Sequence, residues 1–104
     1  MPTVAAGGLP VLQVSGEVDM GTIPTFRDAL HRLVTDHPAA VVAVDLDGVL
    51  ALDDTGLGVL LGAAGRARQV GGDLVVVCSD PRLMRRFAET RLDRALDLRA
   101  TLSG

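Results

Sequence analysis

The feature that most constrains the fold is the regular alternation of strand and helix signals along the chain. Residues 9–15, 39–46 and 74–78 are predicted strands, and the last two are apolar on both faces, as is typical of buried strands in a parallel sheet. Each strand is followed by apolar residues at helical spacing. This order predicts a single small α/β domain, with a mostly parallel sheet of four to five strands and helices packed against it.

The length of 104 residues leaves room for one domain only. We expect that domain to span residues 9–99, with a short or mobile N-terminal segment at 1–8 and a C-terminal tail at 100–104. Because about eight residues precede the first clear strand, that edge of the sheet is expected to be short or uncovered. An uncovered edge favours pairing with another chain, here as a weak homodimer.

Composition excludes several functions. The chain contains no lysine, tryptophan or tyrosine, so it lacks the ammonium group of a P-loop and an aromatic platform for single-stranded nucleic acid. Its net charge of −3 also argues against nucleic acid. The single cysteine, Cys78, excludes an internal disulfide and is expected in the core. The longest apolar run, residues 39–44, is far below the roughly 20 residues of a membrane span.

We therefore expect a cytoplasmic protein with no membrane contact and no cofactor. The N-terminal residues 1–10 lack the basic start and long apolar core of a signal peptide.

Two acidic loops are predicted to meet where the parallel strands end. They comprise residues 16–19 and 52–56. Within the second loop, Asp54 or Thr55 is expected to cap the helix that begins there, since first-turn N–H groups lack partners inside the helix. A minor alternative is a Mg²⁺-dependent hydrolase or a nucleotide-binding protein. Its candidate metal ligands are Asp19, Asp45, Asp47, Asp53 and Asp54.

The helix after Thr55 is unusually rich in glycine on its predicted outer face, which comprises Gly58, Val59, Gly62 and Gly65. Each interior glycine costs about 1 kcal/mol relative to alanine. A compensating interaction is therefore expected, and an exposed Val59 favours close approach by another chain. This predicts a docking surface beside the Thr55 hydroxyl.

Taken together, these residues resemble the STAS domain of the anti-sigma factor antagonists. The most specific match is Asp53-Asp54-Thr55-Gly56-Leu57-Gly58, and it stands at the right distance from Gly16-Glu17-Val18-Asp19. The other matching segments are residues 22–30, 44–49, 71–74 and 92–94.

The resemblance implies a binding protein that is switched by phosphorylation and is not itself an enzyme. Thr55 corresponds to the residue phosphorylated by the partner, an anti-sigma factor that is a serine/threonine kinase. The unmodified form binds this partner, the phosphorylated form does not, and a phosphatase restores binding. Asp19 corresponds to the family's aspartate beside the phosphoacceptor. The implied partner-binding residues are Asp19, Asp53, Asp54, Gly56, Leu57, Gly58, Val59 and Gly62.

Two departures from the family and one expectation bear on this hypothesis. The family often has serine where Asp54 stands, which favours an alternative: a constitutive STAS scaffold in which Thr55 only caps its helix. Arg91 replaces a common glycine after the third helix, so that helix must end without a residue suited to the left-handed region. Finally, no arginine is expected at the acidic edge to neutralise a phosphate.

Overall fold

The computed structural model describes residues 1–102 and shows one five-stranded sheet. The strands are β1 (Thr3–Ala6), β2 (Leu9–Val18), β3 (Val41–Leu52), β4 (Asp73–Val77) and β5 (Asp97–Arg99), in the spatial order β1-β2-β3-β4-β5. Strands β2 to β5 are parallel, and β1 is antiparallel to β2. The helices are α1 (Ile23–Asp36), α2 (Asp54–Gln69), α3 (Pro81–Glu89) and α4 (Leu92–Ala95). The predicted α/β fold is confirmed.

The buried side chains form two clusters on opposite faces of the sheet. The larger cluster contains the apolar faces of the helices, including Phe26 and Phe87, packed on alternate strand residues. The smaller cluster has a strand-only core of Val11, Ala43, Val75 and Val77, with Leu102 packed against it. The strands are therefore apolar on both faces although helices contribute to only one cluster.

The N-terminal segment 1–8, which was predicted to be short or mobile, contains β1. Its register pairs Val4 with Val11 and Ala6 with Leu9, so the edge of β2 that was expected to be short or uncovered is covered by a short strand. The new edge is only four residues long, and short edge strands discourage pairing with other chains. The weak homodimer stays a prediction.

Strands β2 and β3 project beyond the rest of the sheet. The pairing of β3 with β4 ends at Asp45 and Val77, whereas its pairing with β2 continues to Leu52 and Val18. This two-stranded projection brings together the loops that begin α1 and α2. At its end, the backbone N–H of Asp53 donates to the carbonyl oxygen of Val18 at 3.1 Å.

Arg91, between α3 and α4, adopts the left-handed conformation with φ 62° and ψ 16°. A side chain in this region is strained, whereas glycine is not. We expect Arg91→Gly to raise the free energy of unfolding by about 0.5–1 kcal/mol, measured by urea denaturation. The control Arg85→Gly, at an exposed position inside α3, should lower it by about 1 kcal/mol. A loss of stability in both variants would contradict this account.

Candidate functional site

Helix α2 begins at the projection of β2 and β3, and its N-cap is Asp53. The Asp53 backbone is extended, and its Oδ1 accepts a hydrogen bond from the N–H of Gly56 at 3.0 Å. The expectation that Asp54 or Thr55 would supply this cap is wrong, because the extended backbone needed for capping falls one residue earlier. The two acidic loops meet as predicted, through the hydrogen bond between Asp53 and Val18.

Thr55 is exposed in the first turn of α2. Its hydroxyl makes no hydrogen bond to any residue in the range 1–102. The capping role that the scaffold alternative assigned to Thr55 belongs to Asp53. The structure thus leaves the Thr55 hydroxyl with no role in its own fold and open to another molecule.

Asp19 shapes the turn that precedes α1. Its Oδ1 accepts from the N–H groups of Gly21 and Thr22 at 2.9 and 3.3 Å. The Thr22 hydroxyl donates to the carbonyl oxygen of Glu17 at 2.8 Å, which fixes the same turn. Asp19 therefore holds a defined position beside the start of α2 while remaining exposed.

The outer face of α2 is bare at Gly58 and Gly62, both of which are exposed. A Cβ atom at Gly58 would meet no atom of another described side chain within 4 Å, so residues 1–102 leave the helix uncovered at this position. Val59 was predicted to be exposed, but it is half-buried and packs against the larger core cluster. Leu61 of α2 is exposed.

Gly56 and Leu57 lie in the core rather than at the surface. A Cβ at Gly56 would run into the side chains of Leu52 and Val18, so this glycine lets α2 approach the strands closely. These two residues set the position of the helix and lie beneath the surface that a partner could touch.

Arginines from two neighbouring helices lie near the start of α2, which contradicts the expectation that none would be present. Arg86 of α3 donates from Nη2 to Asp54 Oδ1 at 2.6 Å. Arg27 of α1 and Arg66 of α2 line a cleft that also contains Thr55. Arg86 and Asp54 are 32 positions apart in the sequence, and no local pattern links residues at that distance.

A second cleft, the α3 cleft, lies between the β2–β3 projection and α3. It is lined by Glu17, Val18, Asp19, Leu50, Ala51, Leu52, Asp53, Asp80, Arg82, Leu83 and Arg86. Leu50 is 72% exposed, and nearby Met20 is 87% exposed. Neither exposed apolar residue was predicted from the sequence. Residues 49–52 are all apolar, so no sequence signal separates exposed Leu50 and Ala51 from buried Val49 and Leu52.

Two further carboxylates near the strand ends, Asp47 and Asp80, have structural partners. Asp47 Oδ1 accepts from the backbone N–H and the hydroxyl of Ser79 at 2.7 and 3.0 Å. Asp80 caps α3, and hydrogen bonds from the backbone and side chain of Arg82 lower the pKa of its carboxyl group. Within residues 1–102, no three His, Cys, Asp or Glu side chains are grouped to hold a metal ion.

Cys78 lies in the larger core cluster, as predicted. Burial raises the pKa of its thiol, so the uncharged form is favoured at neutral pH.

Within residues 1–102, no helix has the length and hydropathy needed to cross a membrane.

Comparison with known proteins agrees with this geometry. The family model for the STAS domain matches residues 1–104. The anti-sigma-B factor antagonist of Listeria monocytogenes is 35% identical over 86 residues, which cover 83% of this chain and 75% of that protein. The protein of the same name from Bacillus subtilis is 31% identical over 93 residues, which cover 89% of this chain and 84% of that protein.

A solved structure shares the fold. The crystal structure of an anti-sigma factor antagonist from Mycobacterium paratuberculosis superposes with a TM-score of 0.86 at 32% identity, covering 98% of this chain and 86% of the other. The matched region includes α2 and the strands that position it. The chain therefore belongs to the STAS domain family, in the group of the anti-sigma factor antagonists.

Proposed function

We propose that this protein binds an anti-sigma factor with serine/threonine kinase activity, and that phosphorylation of Thr55 ends the binding. The observation that carries the proposal is the exposed Thr55 hydroxyl, which has no hydrogen-bond partner among residues 1–102 and adjoins a bare helix face. We call this face and its acidic rim the docking surface; it comprises Asp19, Asp53, Asp54, Thr55, Gly58, Val59 and Gly62. Gly56 and Leu57 support it from below.

The composition of the docking surface suits a reversible protein complex. Exposed Met20 and Leu50 add apolar area beside the carboxylates, and the glycines allow the partner's backbone to come close to α2. Protein interfaces combine such an apolar centre with a polar rim. While the anti-sigma factor is bound here, its sigma factor is free to act in transcription.

The modification is a phosphoryl transfer from ATP held by the kinase. The Thr55 hydroxyl oxygen forms a bond to the γ-phosphorus, the bond from that phosphorus to the β–γ bridging oxygen breaks, and ADP leaves. The hydroxyl proton passes to a base on the kinase. This chain supplies only the acceptor and is a substrate rather than an enzyme. A phosphatase that hydrolyses the ester restores the hydroxyl, and all these reactions take place in the cytoplasm.

The phosphate adds a charge of about −1.5 to −2 in the first turn of α2. A helix N-terminus favours an anion by roughly 0.3–1 kcal/mol, so the fold itself should persist. Docking, however, would force a bulky and strongly hydrated dianion into the interface. That cost falls on the complex and not on the free protein, so it shifts the binding equilibrium without a large rearrangement.

Treatment with the cognate kinase and ATP is expected to add one phosphate to the wild-type protein and none to Thr55→Ala. Intact-protein mass spectrometry with fragment mapping measures the result. Thr25→Ala is a matched control, because Thr25 is another exposed threonine without a hydrogen bond in the described chain. The control should be modified as fully as the wild type. Modification at sites other than Thr55 would refute the assignment.

A constitutive STAS scaffold is the second candidate, and Asp54 is the residue that favours it. Asp54 holds Arg86 in an ion pair on the docking surface while its side chain is 92% exposed. A fixed negative charge beside the phosphoacceptor could weaken recognition by a kinase. The two candidates differ in their response to a charge at position 55.

A further inference from the structure

A cleft of about 350 Å³ separates α1 from the outer face of α2 and opens beside Thr55. It is lined by Arg27, Thr55, Gly58, Val59, Gly62 and Arg66, and we call it the arginine cleft. Thr55 stands at the end where α2 begins. The glycines leave the floor of the cleft free of side chains.

The charge in this cleft is uncompensated. Arg27 and Arg66 are its only ionisable lining residues, and neither side chain forms a hydrogen bond or ion pair with another residue in the range 1–102. Four other arginines, by contrast, are paired with aspartates: Arg68, Arg82, Arg86 and Arg99.

The side chain of Arg66 lies back along α2 toward Thr55. Its Nη1 atom is 3.5 Å from the place where a Cβ on Gly62 would stand, one turn nearer the start of the helix. Its Nε atom is buried and has no hydrogen-bond partner. An unsatisfied buried donor is costly, and more so on a charged group. Two unpaired guanidinium groups over a bare floor form a site suited to an anion with several oxygens.

We propose that the arginine cleft receives the phosphoryl group of phosphorylated Thr55. This inference rests on the proposed function, because it concerns the same hydroxyl. Arg27, from the neighbouring helix, is the direct partner of the phosphate. The backbone of Arg66 is about 16 Å from that of Thr55 along α2, so Arg66 contributes mainly through its positive electrostatic potential. The occupant is thus a group of this chain itself.

Phosphorylation then acts by closing the docking surface as well as by adding charge. A phosphate drawn toward Arg27 lies over Gly58 and occupies space that a partner's backbone would use. Removing Arg27 should therefore leave the phosphate less favourably placed and more easily protonated. Three carboxylates near Thr55 repel the phosphate that Arg27 attracts: Asp53 and Asp54 are its neighbours in the sequence, and Asp19 lines the α3 cleft. Arg86 already pairs with Asp54.

The test is a ³¹P NMR titration of the full chain carrying phosphothreonine at position 55, introduced by semisynthesis. We expect Arg27→Met to raise the second pKa of the phosphate by roughly 0.3–0.7 units, because it removes a cation that stabilises the dianion. Arg66→Met should raise it by less. Arg32→Met is the matched control: it removes one exposed, unpaired charge from α1 outside this cleft and should leave the pKa unchanged.

Equal phosphate pKa values in Arg27→Met and Arg32→Met would overturn the inference, even if a kinase modifies Thr55 as proposed. Because semisynthesis does not depend on a kinase, the reverse result is also decisive. A pKa shift in Arg27→Met, together with a Thr55 that the kinase leaves untouched, would support the cleft and refute the proposed function.

Discussion

Replacing Thr55 with glutamate is expected to weaken binding to the cognate anti-sigma factor by more than a hundredfold. The new carboxylate would stand on the docking surface next to Asp53 and Asp54, and docking would strip it of water. A loss of about 3 kcal/mol corresponds to that factor in affinity. Thr55→Ser keeps the hydroxyl and the size of the site, so it should bind like the wild type.

Isothermal titration calorimetry of the purified pair measures this difference. Thr35→Glu is the charge control, since it adds one negative charge at an exposed threonine in the last turn of α1, at the opposite end of that helix from Asp19. Its affinity should stay within a few-fold of the wild type. Circular dichroism should be the same for all variants. If Thr55→Glu and Thr55→Ser bind equally well, the switch is refuted and the constitutive scaffold is favoured.

The order of the elements could be predicted from the sequence because it depends on local periodicity. Apolar strands and helices with one apolar stripe are encoded within a few residues of each other, and the predicted parallel sheet follows from their alternation. The distribution of helices between the two faces of the sheet is not encoded in this way. Val11, Ala43 and Val75 are buried by neighbouring strand residues and Leu102, so their apolar character says nothing about a covering helix.

Strand β1 was missed for a related reason. The residues Thr3–Ala6 are small and mostly exposed, and they show no alternation of polar and apolar side chains. Their extended conformation is set by backbone pairing with β2, in which Val4 lies opposite Val11. Pairing of this kind depends on the partner strand more than on the sequence of the segment itself.

The position of Thr55 could be predicted, but its surroundings could not. The segment around Thr55 is contiguous, so its loop and helix are visible in the sequence. Asp53 is the cap because it is the residue with an extended backbone at the end of β3. The hydrogen bond from its N–H to the carbonyl oxygen of Val18 holds it there. The approach of Arg27 and Arg86 depends on how α1 and α3 pack beside α2, which no local pattern records.

Gly72→Ala is expected to lower the free energy of unfolding by about 3 kcal/mol. Gly72 lies in the turn before β4, where its N–H donates to Ala67 at 2.9 Å. A Cβ at this position would overlap the carbonyl oxygen of Ala40. That carbonyl also accepts from the N–H of Asp73 at 3.3 Å, so moving it would disturb the start of the β3–β4 pairing.

The matched control for Gly72→Ala is Gly65→Ala, which adds the same methyl group inside α2. A Cβ at Gly65 meets nothing within 4 Å, so this variant should gain about 1 kcal/mol from its better helix propensity. Urea denaturation of both variants measures opposite shifts in the midpoint. Since backbone atoms cannot rotate aside as a side chain can, a Gly72→Ala variant as stable as the wild type would mean that the turn does not approach Ala40 in solution.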